Sequence, residues 1–270
     1  MDLLGQIRDT YTRSRLQPPG ENLERVLRDV KDLFEGRAAG FQHCDTPYHN
    51  LEHSLETTAV MIRIMDGWNK GGRPPPIAQD FFDLGVIAAL LHDVGYIKKS
   101  GDNSGTGAKY TFRHVGRGVA LASRYLSSLG YTHEATHFIQ TLIWHTYNKT
   151  HISEVTYSCD EEKWAAFSLG TADLLAQMSA PDYLDKLPLL FEEFKEGYAY
   201  EGIAQLREKG HKVFESLDEM IRGTPAFYEN WVKPRFREMG SVCLVIEPRA
   251  EKGKNDLLAA LEKNMDRISS

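Results

Sequence analysis

Apolar residues recur three and four positions apart over most of this chain, and runs of strict alternation are nearly absent. Side chains at those spacings share one face of a helix, whereas a half-buried strand needs a period of two. The fold class is therefore all-α. The pattern predicts helices over 22–36, 47–68, 80–94, 112–129, 132–144, 161–178, 181–195, 200–222, 226–239 and 254–268, and residues 1–16 are amphipathic enough to pack as a further helix. Ser241 to Ile246, SVCLVI, is the one short run of strand-like composition.

Local chemistry supports several of these boundaries. Thr46 before Pro47 reads as a capping hydroxyl ahead of a proline at the first helical position, and Gly130 follows a helix ending near Leu129. Two polar, glycine-rich breaks, 69–76 and 99–107, read as flexible loops over a site. Composition divides the chain into residues 1–200 and a helical C-terminal extension, 201–270, packed on the rest.

Charge and cysteine content exclude some functions. A net charge of -6 is the wrong sign for a protein that neutralises the phosphates of a nucleic-acid polymer. Cys44, Cys159 and Cys243 are widely spaced and form no CxxC pair, so neither a disulfide framework nor a cysteine zinc cluster is expected, and a reducing cytoplasm fits best. No run approaches the ~20 apolar residues of a membrane span.

The candidate chemistry begins with His49 and His53, four apart and expected on one face of the helix from Pro47. The apolar run GVIAALLHDVGY then ends in His92 and Asp93. An ionised carboxylate buried there without a partner costs several kcal/mol, so Asp93 needs a cation or a strong hydrogen-bond network. Asp173, within AAFSLGTADLLAQM, raises the same demand among small and apolar neighbours.

A histidine, an adjacent His–Asp pair and a distant aspartate, all on helices, make a pattern that resembles the HD-domain phosphohydrolase superfamily. The resemblance covers roughly residues 41–194 and rests on His53, His92, Asp93 and Asp173. It implies a helical bundle, those four residues as ligands of one or two divalent ions (Mn, Fe, Ni, Zn, Co or Mg), and a metal-activated water attacking a small phosphate ester such as a nucleotide. Asp93 would bridge the two ions. PYHNLEH also resembles the motif of cyclic-nucleotide phosphodiesterases, which implies His49 as general acid. Tyr96 stands where those enzymes carry a further histidine. The order of the two-metal members implies His114 and His145 as ligands of a second ion. The glycine-tyrosine-proline signature of one such group is absent after Asp93.

Lys98, Lys99, Arg113 and Arg117 are near the motif in sequence and are candidate phosphate contacts. Three other readings compete with hydrolysis. One is an HD-type di-iron oxygenase, and another is a nucleotide-binding HD module without catalysis. The third is a zinc protease built on His133-Glu134-Ala135-Thr136-His137, which reads H-E-x-x-H, with His151 or Glu154 completing the set.

Overall fold

The computed structural model describes residues 3–13, 17, 20–246 and 255–270. The helical stripes of the sequence become α1 (Leu3–Arg13), α2 (Glu21–Phe34), α3 (Leu51–Lys70), α4 (Gln79–Leu91), α5 (His114–Ser128), α6 (His133–Trp144), α7 (Asp160–Ser179) and α8 (Tyr183–Glu201), followed by α9 (Ile203–Glu208), α10 (Leu217–Phe227), α11 (Lys233–Glu238) and α12 (Asp256–Ser269). No strand forms among the described residues.

α7 is the centre of the bundle because it is built to be covered. Ala165, Ala166, Leu169, Gly170, Ala172, Leu175 and Ala176 are all buried, and their small size lets α3, α4, α6 and α12 approach it. α3 packs closely along it and buries Val60, Met61, Ile64, Met65 and Trp68, a stripe of helical spacing whose Met61 and Met65 meet Gly85 of α4. Fully burying each such side chain stabilises the fold by about 1.5–3 kcal/mol. α4 is apolar almost all round, and its last turn delivers His92 into the interior.

Two predicted segments form differently. The stretch predicted as one helix over 200–222 is divided, because Gly202 (φ 85) and Gly210 (φ 71) take the left-handed conformation that ends a helix. SVCLVI closes into a 3₁₀ turn, Val242–Val245, that lies on α3 and α7. Gly67 permits this contact, since a Cβ there would lie 2.0 Å from the Val245 carbonyl oxygen.

Residues beyond 200 share the main core through Val232, Met239 and Leu261. Asn264 of α12 donates from Nδ2 to the carbonyls of Met178 and Ala180 at 3.0 and 2.9 Å, satisfying acceptors at the end of α7. α10 continues through a π-helical turn, Tyr228–Val232, into α11. Among the described residues no helix is long and apolar enough to cross a membrane.

Candidate metal centre

The centre is assembled from the start of one helix, the end of another and the interior of a third. His53 is in the first turn of α3, His92 caps the end of α4, Asp93 follows it, and Asp173 is in the middle of α7. His53 Nε2 is 3.1 Å from Asp173 Oδ1 and 3.5 Å from Asp93 Oδ2. His92 Nε2 is 3.2 Å from Asp93 Oδ2 and 3.5 Å from Asp173 Oδ1. Ligand atoms of His53, His92 and Asp173 lie within 4.8 Å of one another, as do those of His49, His53 and Asp93, so each trio could hold a metal ion.

The donor chemistry fits a cation. His92 Nδ1 is turned to the Ala89 carbonyl at 2.8 Å, leaving Nε2 for the centre. His92 Nε2 and Asp93 Oδ2 are both buried and make no hydrogen bond, a costly arrangement unless a positive partner lies between them. Burial alone would push the Asp93 carboxyl up, yet the His92 imidazole beside it holds it well below the usual carboxylate range. Burial acts on Asp173 in the same sense and is likewise overridden, here by the hydrogen bond with His53 and by the nearby His92 imidazole. Both carboxylates are therefore charged acceptors.

His49 is not on the helix face expected for it. The first helical residue is Leu51, because the Asn50 side chain accepts from the His53 backbone N–H at 3.2 Å and starts α3 there. Thr46 is not the cap: its hydroxyl donates to the His49 carbonyl. His49 occupies the turn before α3, held by a residue that sequence reasoning passed over. Glu193 of α8 is fully buried and accepts from the backbone N–H of Tyr48 at 2.7 Å and of His49 at 3.0 Å, and its second oxygen meets His49 Nδ1. Burial would lower the His49 pKa, but the Glu193 carboxylate reverses this and raises it. The signal was present in PLLFEEFKEG, where Leu190, Glu193 and Gly197 fall on one buried face and put a carboxylate in an apolar stripe.

α8 ties down two more segments in the same way. Glu196 accepts from the Thr106 backbone and hydroxyl, and Glu201 pairs with Arg113. The 99–107 break is held further by Lys98 to Gly105 O and by Lys109 with Asp102, so it is a braced loop.

His114 is brought to the centre. Its Nε2 is 3.6 Å from Asp93 Oδ1, its Nδ1 is 2.7 Å from the Thr111 carbonyl, and burial keeps it neutral by lowering its pKa. Gly95 makes this possible: a Cβ there would sit 1.9 Å from the His114 carbonyl oxygen, so only glycine admits the start of α5 so close to Asp93. The Tyr96 ring packs against both His49 and His114, with centroid distances of 4.6 and 4.4 Å, and so fixes both imidazoles.

Other predicted residues are placed elsewhere. His145 Nδ1 faces the Thr141 carbonyl and its Nε2 the Tyr157 hydroxyl, each at 2.8 Å, so neither nitrogen reaches the centre. Lys98 is buried in an ion pair with Asp45 at 2.8 Å, Arg117 donates to the carbonyls of Gly95 and Ile97, and Lys99 is exposed; none lines the cavity at the centre. The H-E-x-x-H residues His133, Glu134 and His137 are exposed in the first turns of α6, with Thr132 as the cap, and are ordinary solvated positions. Downstream His151 and Glu154 are exposed as well.

Asp93, Asp173, His49 and His114 form part of the wall of a cavity of about 640 Å³. That volume suits a small molecule. Residues of the C-terminal segment, including Met220, Phe227 and Trp231, complete the wall.

The fold is similar to that of the phosphodiesterase domain of the RhoPDE fusion protein from the choanoflagellate Salpingoeca rosetta, with a TM-score of 0.60 over 99% of this chain and 90% of that chain. Identity is 13%, so the likeness is one of fold. No curated protein matches the sequence. Residues 35–264 match the sequence profile described as Npun_R2479-like, and the chain belongs to that family.

Proposed function

We propose that this protein is a metal-dependent phosphohydrolase, a phosphodiesterase or phosphatase that cleaves a small phosphate ester. One observation carries the reading: His53, His92 and Asp173, from three separate helices, bring ligand atoms within 4.8 Å of one another beside a ligand-sized cavity, with Asp93 against both histidines and a histidine–carboxylate pair next to them. The fold it shares with a phosphodiesterase domain supports the same class.

The four residues would hold a divalent ion, with Asp93 and His114 placed to share a second. Imidazole and carboxylate ligands suit Mn, Fe, Zn, Ni or Co, and Mg suits a more watery position. Such ions supply a nucleophilic water at neutral pH and offset charge on the phosphoryl oxygens.

The chain's own residues do the rest. His49 gives Nδ1 to Glu193, which leaves Nε2 to protonate the oxygen that departs. Glu193 favours the protonated form of that imidazole by raising its pKa above the ordinary histidine value. Tyr96 packs against the ring and fixes its orientation. In the overall reaction water oxygen bonds to phosphorus and releases one proton to solvent, the P–O bond to the alcohol breaks, the departing oxygen takes the His49 proton, and His49 regains a proton from solvent.

The test is hydrolysis of a chromogenic phosphodiester and a phosphomonoester after loading the protein in turn with Mn, Fe, Ni, Zn, Co or Mg. Metal-dependent release of the alcohol is expected. Dioxygen uptake in place of hydrolysis, or no turnover with any ion, would overturn the reading.

A further inference from the structure

The cavity that receives Asp93 and Asp173 extends well beyond the space a phosphoryl group needs, and most of its remaining wall is apolar. Leu174, Leu187, Leu190, Phe194, Met220 and Trp231 line it. Phe227 and Trp231, one turn apart across the α10 to α11 junction, stack at 5.1 Å with their planes 10° apart and present a flat aromatic surface.

The polar side chains on this wall are mostly committed to the protein itself. The hydroxyls of Thr111, Thr146 and Thr224 donate to the carbonyls of Ala108, Ile143 and Met220. The cations are largely engaged: Lys149 donates to the Lys209 carbonyl, Lys212 pairs with Glu219 at 2.7 Å, and Arg235 donates from Nη1 to the Thr150 carbonyl at 2.7 Å, its buried Nη2 lacking a partner. Among the described residues, the Asn148 and Gln177 amides, the Tyr147 hydroxyl and the His211 imidazole line this part of the cavity without a hydrogen bond.

A nucleoside buried here would bring a ribose and a base edge carrying many donors and acceptors. Asn148, Gln177, Tyr147 and His211 are too few to satisfy them all, and each buried polar group left unpaired weakens binding. An apolar body loses nothing of this kind and gains from leaving water.

We infer that the alcohol part of the substrate is apolar: the site takes a phosphoric ester whose hydrocarbon or aryl body lies against Trp231 and Phe227 while its phosphoryl group meets Asp93 and Asp173. This rests on the hydrolase reading for the phosphoryl end only.

Calorimetric titration of the Mn-loaded protein with 1-naphthylphosphonate, decylphosphonate, methylphosphonate and adenosine 5′-monophosphate tests it without needing turnover. Either apolar phosphonate should bind about tenfold or more tightly than methylphosphonate and the nucleotide. Trp231→Ala should remove most of that advantage and leave methylphosphonate unchanged, and Trp231→Phe should restore it. Phe227→Ala, at a residue 43% exposed and so unimportant to folding, gives an independent smaller loss. Equal or tighter binding of the nucleotide, or an advantage untouched by both alanine variants, would overturn the inference. Tight apolar phosphonate binding in a protein that hydrolyses no ester would instead overturn the hydrolase reading and leave this one standing.

Discussion

His49 Nδ1 meets the buried carboxylate of Glu193, 144 residues away along the chain, and this contact sets the protonation of the group placed to act as general acid. The raised His49 pKa means that the imidazolium persists to higher pH than the ordinary value of 6.5 allows. An acid that works while protonated is active below its pKa and is lost as pH rises through it.

Glu193→Gln keeps an acceptor for the Tyr48 and His49 amides but removes the charge. The alkaline limb of kcat/KM should therefore move to lower pH, and turnover at neutral pH should fall by about 10²-fold. A pH profile with metal analysis checks this, with bound metal unchanged. A profile that does not move would assign Glu193 to structure alone.

His49→Ala should lower turnover by a similar factor, about 10²-fold, and leave most of the bound metal. Elemental analysis of the same preparation decides between roles, since metal lost in proportion to activity would make His49 a ligand.

For the second ion, the positions of two histidines predict opposite outcomes. His114→Ala should reduce metal stoichiometry or weaken uptake by about 10–100-fold, because its Nε2 faces Asp93. His145→Gln should leave both unchanged, because Thr141 and Tyr157 already occupy its ring nitrogens. Metal titrations of the two variants compare them directly.

Gly95→Ala addresses the fold around the site. A methyl group 1.9 Å from the His114 carbonyl oxygen forces α5 away from the turn after Asp93. Chemical denaturation should show a loss of about 3 kcal/mol or more, and His114 should no longer support the second ion. Unchanged stability and metal content would show that α5 can shift freely.

Periodicity made the helices legible, and the demand of a buried carboxylate for a cation singled out Asp93 and Asp173. What the sequence concealed was long-range. Nothing local announces that Asn50 rather than Thr46 starts α3, since both can cap, and that choice moves His49 off the helix and onto Glu193. Glu193 itself is visible only as a carboxylate in an apolar stripe, a signal that needs a known partner. The order of His114 and His145 resembles a two-ion ligand set, but order carries no ring orientation, and the turn after α6 points His145 to Tyr157. Lys98 and Arg117 are near in sequence yet serve Asp45 and two backbone carbonyls, because a long cation beside a braced loop finds nearer acceptors than a ligand.

The most direct test of the account is elemental analysis of the purified protein and of Asp93→Ala after identical loading with divalent ions. The account predicts a bound ion held through dialysis in the parent protein and its loss in Asp93→Ala, with hydrolysis lost in step. A parent protein that takes up none of these ions, or an Asp93→Ala variant that binds them equally well, would contradict it.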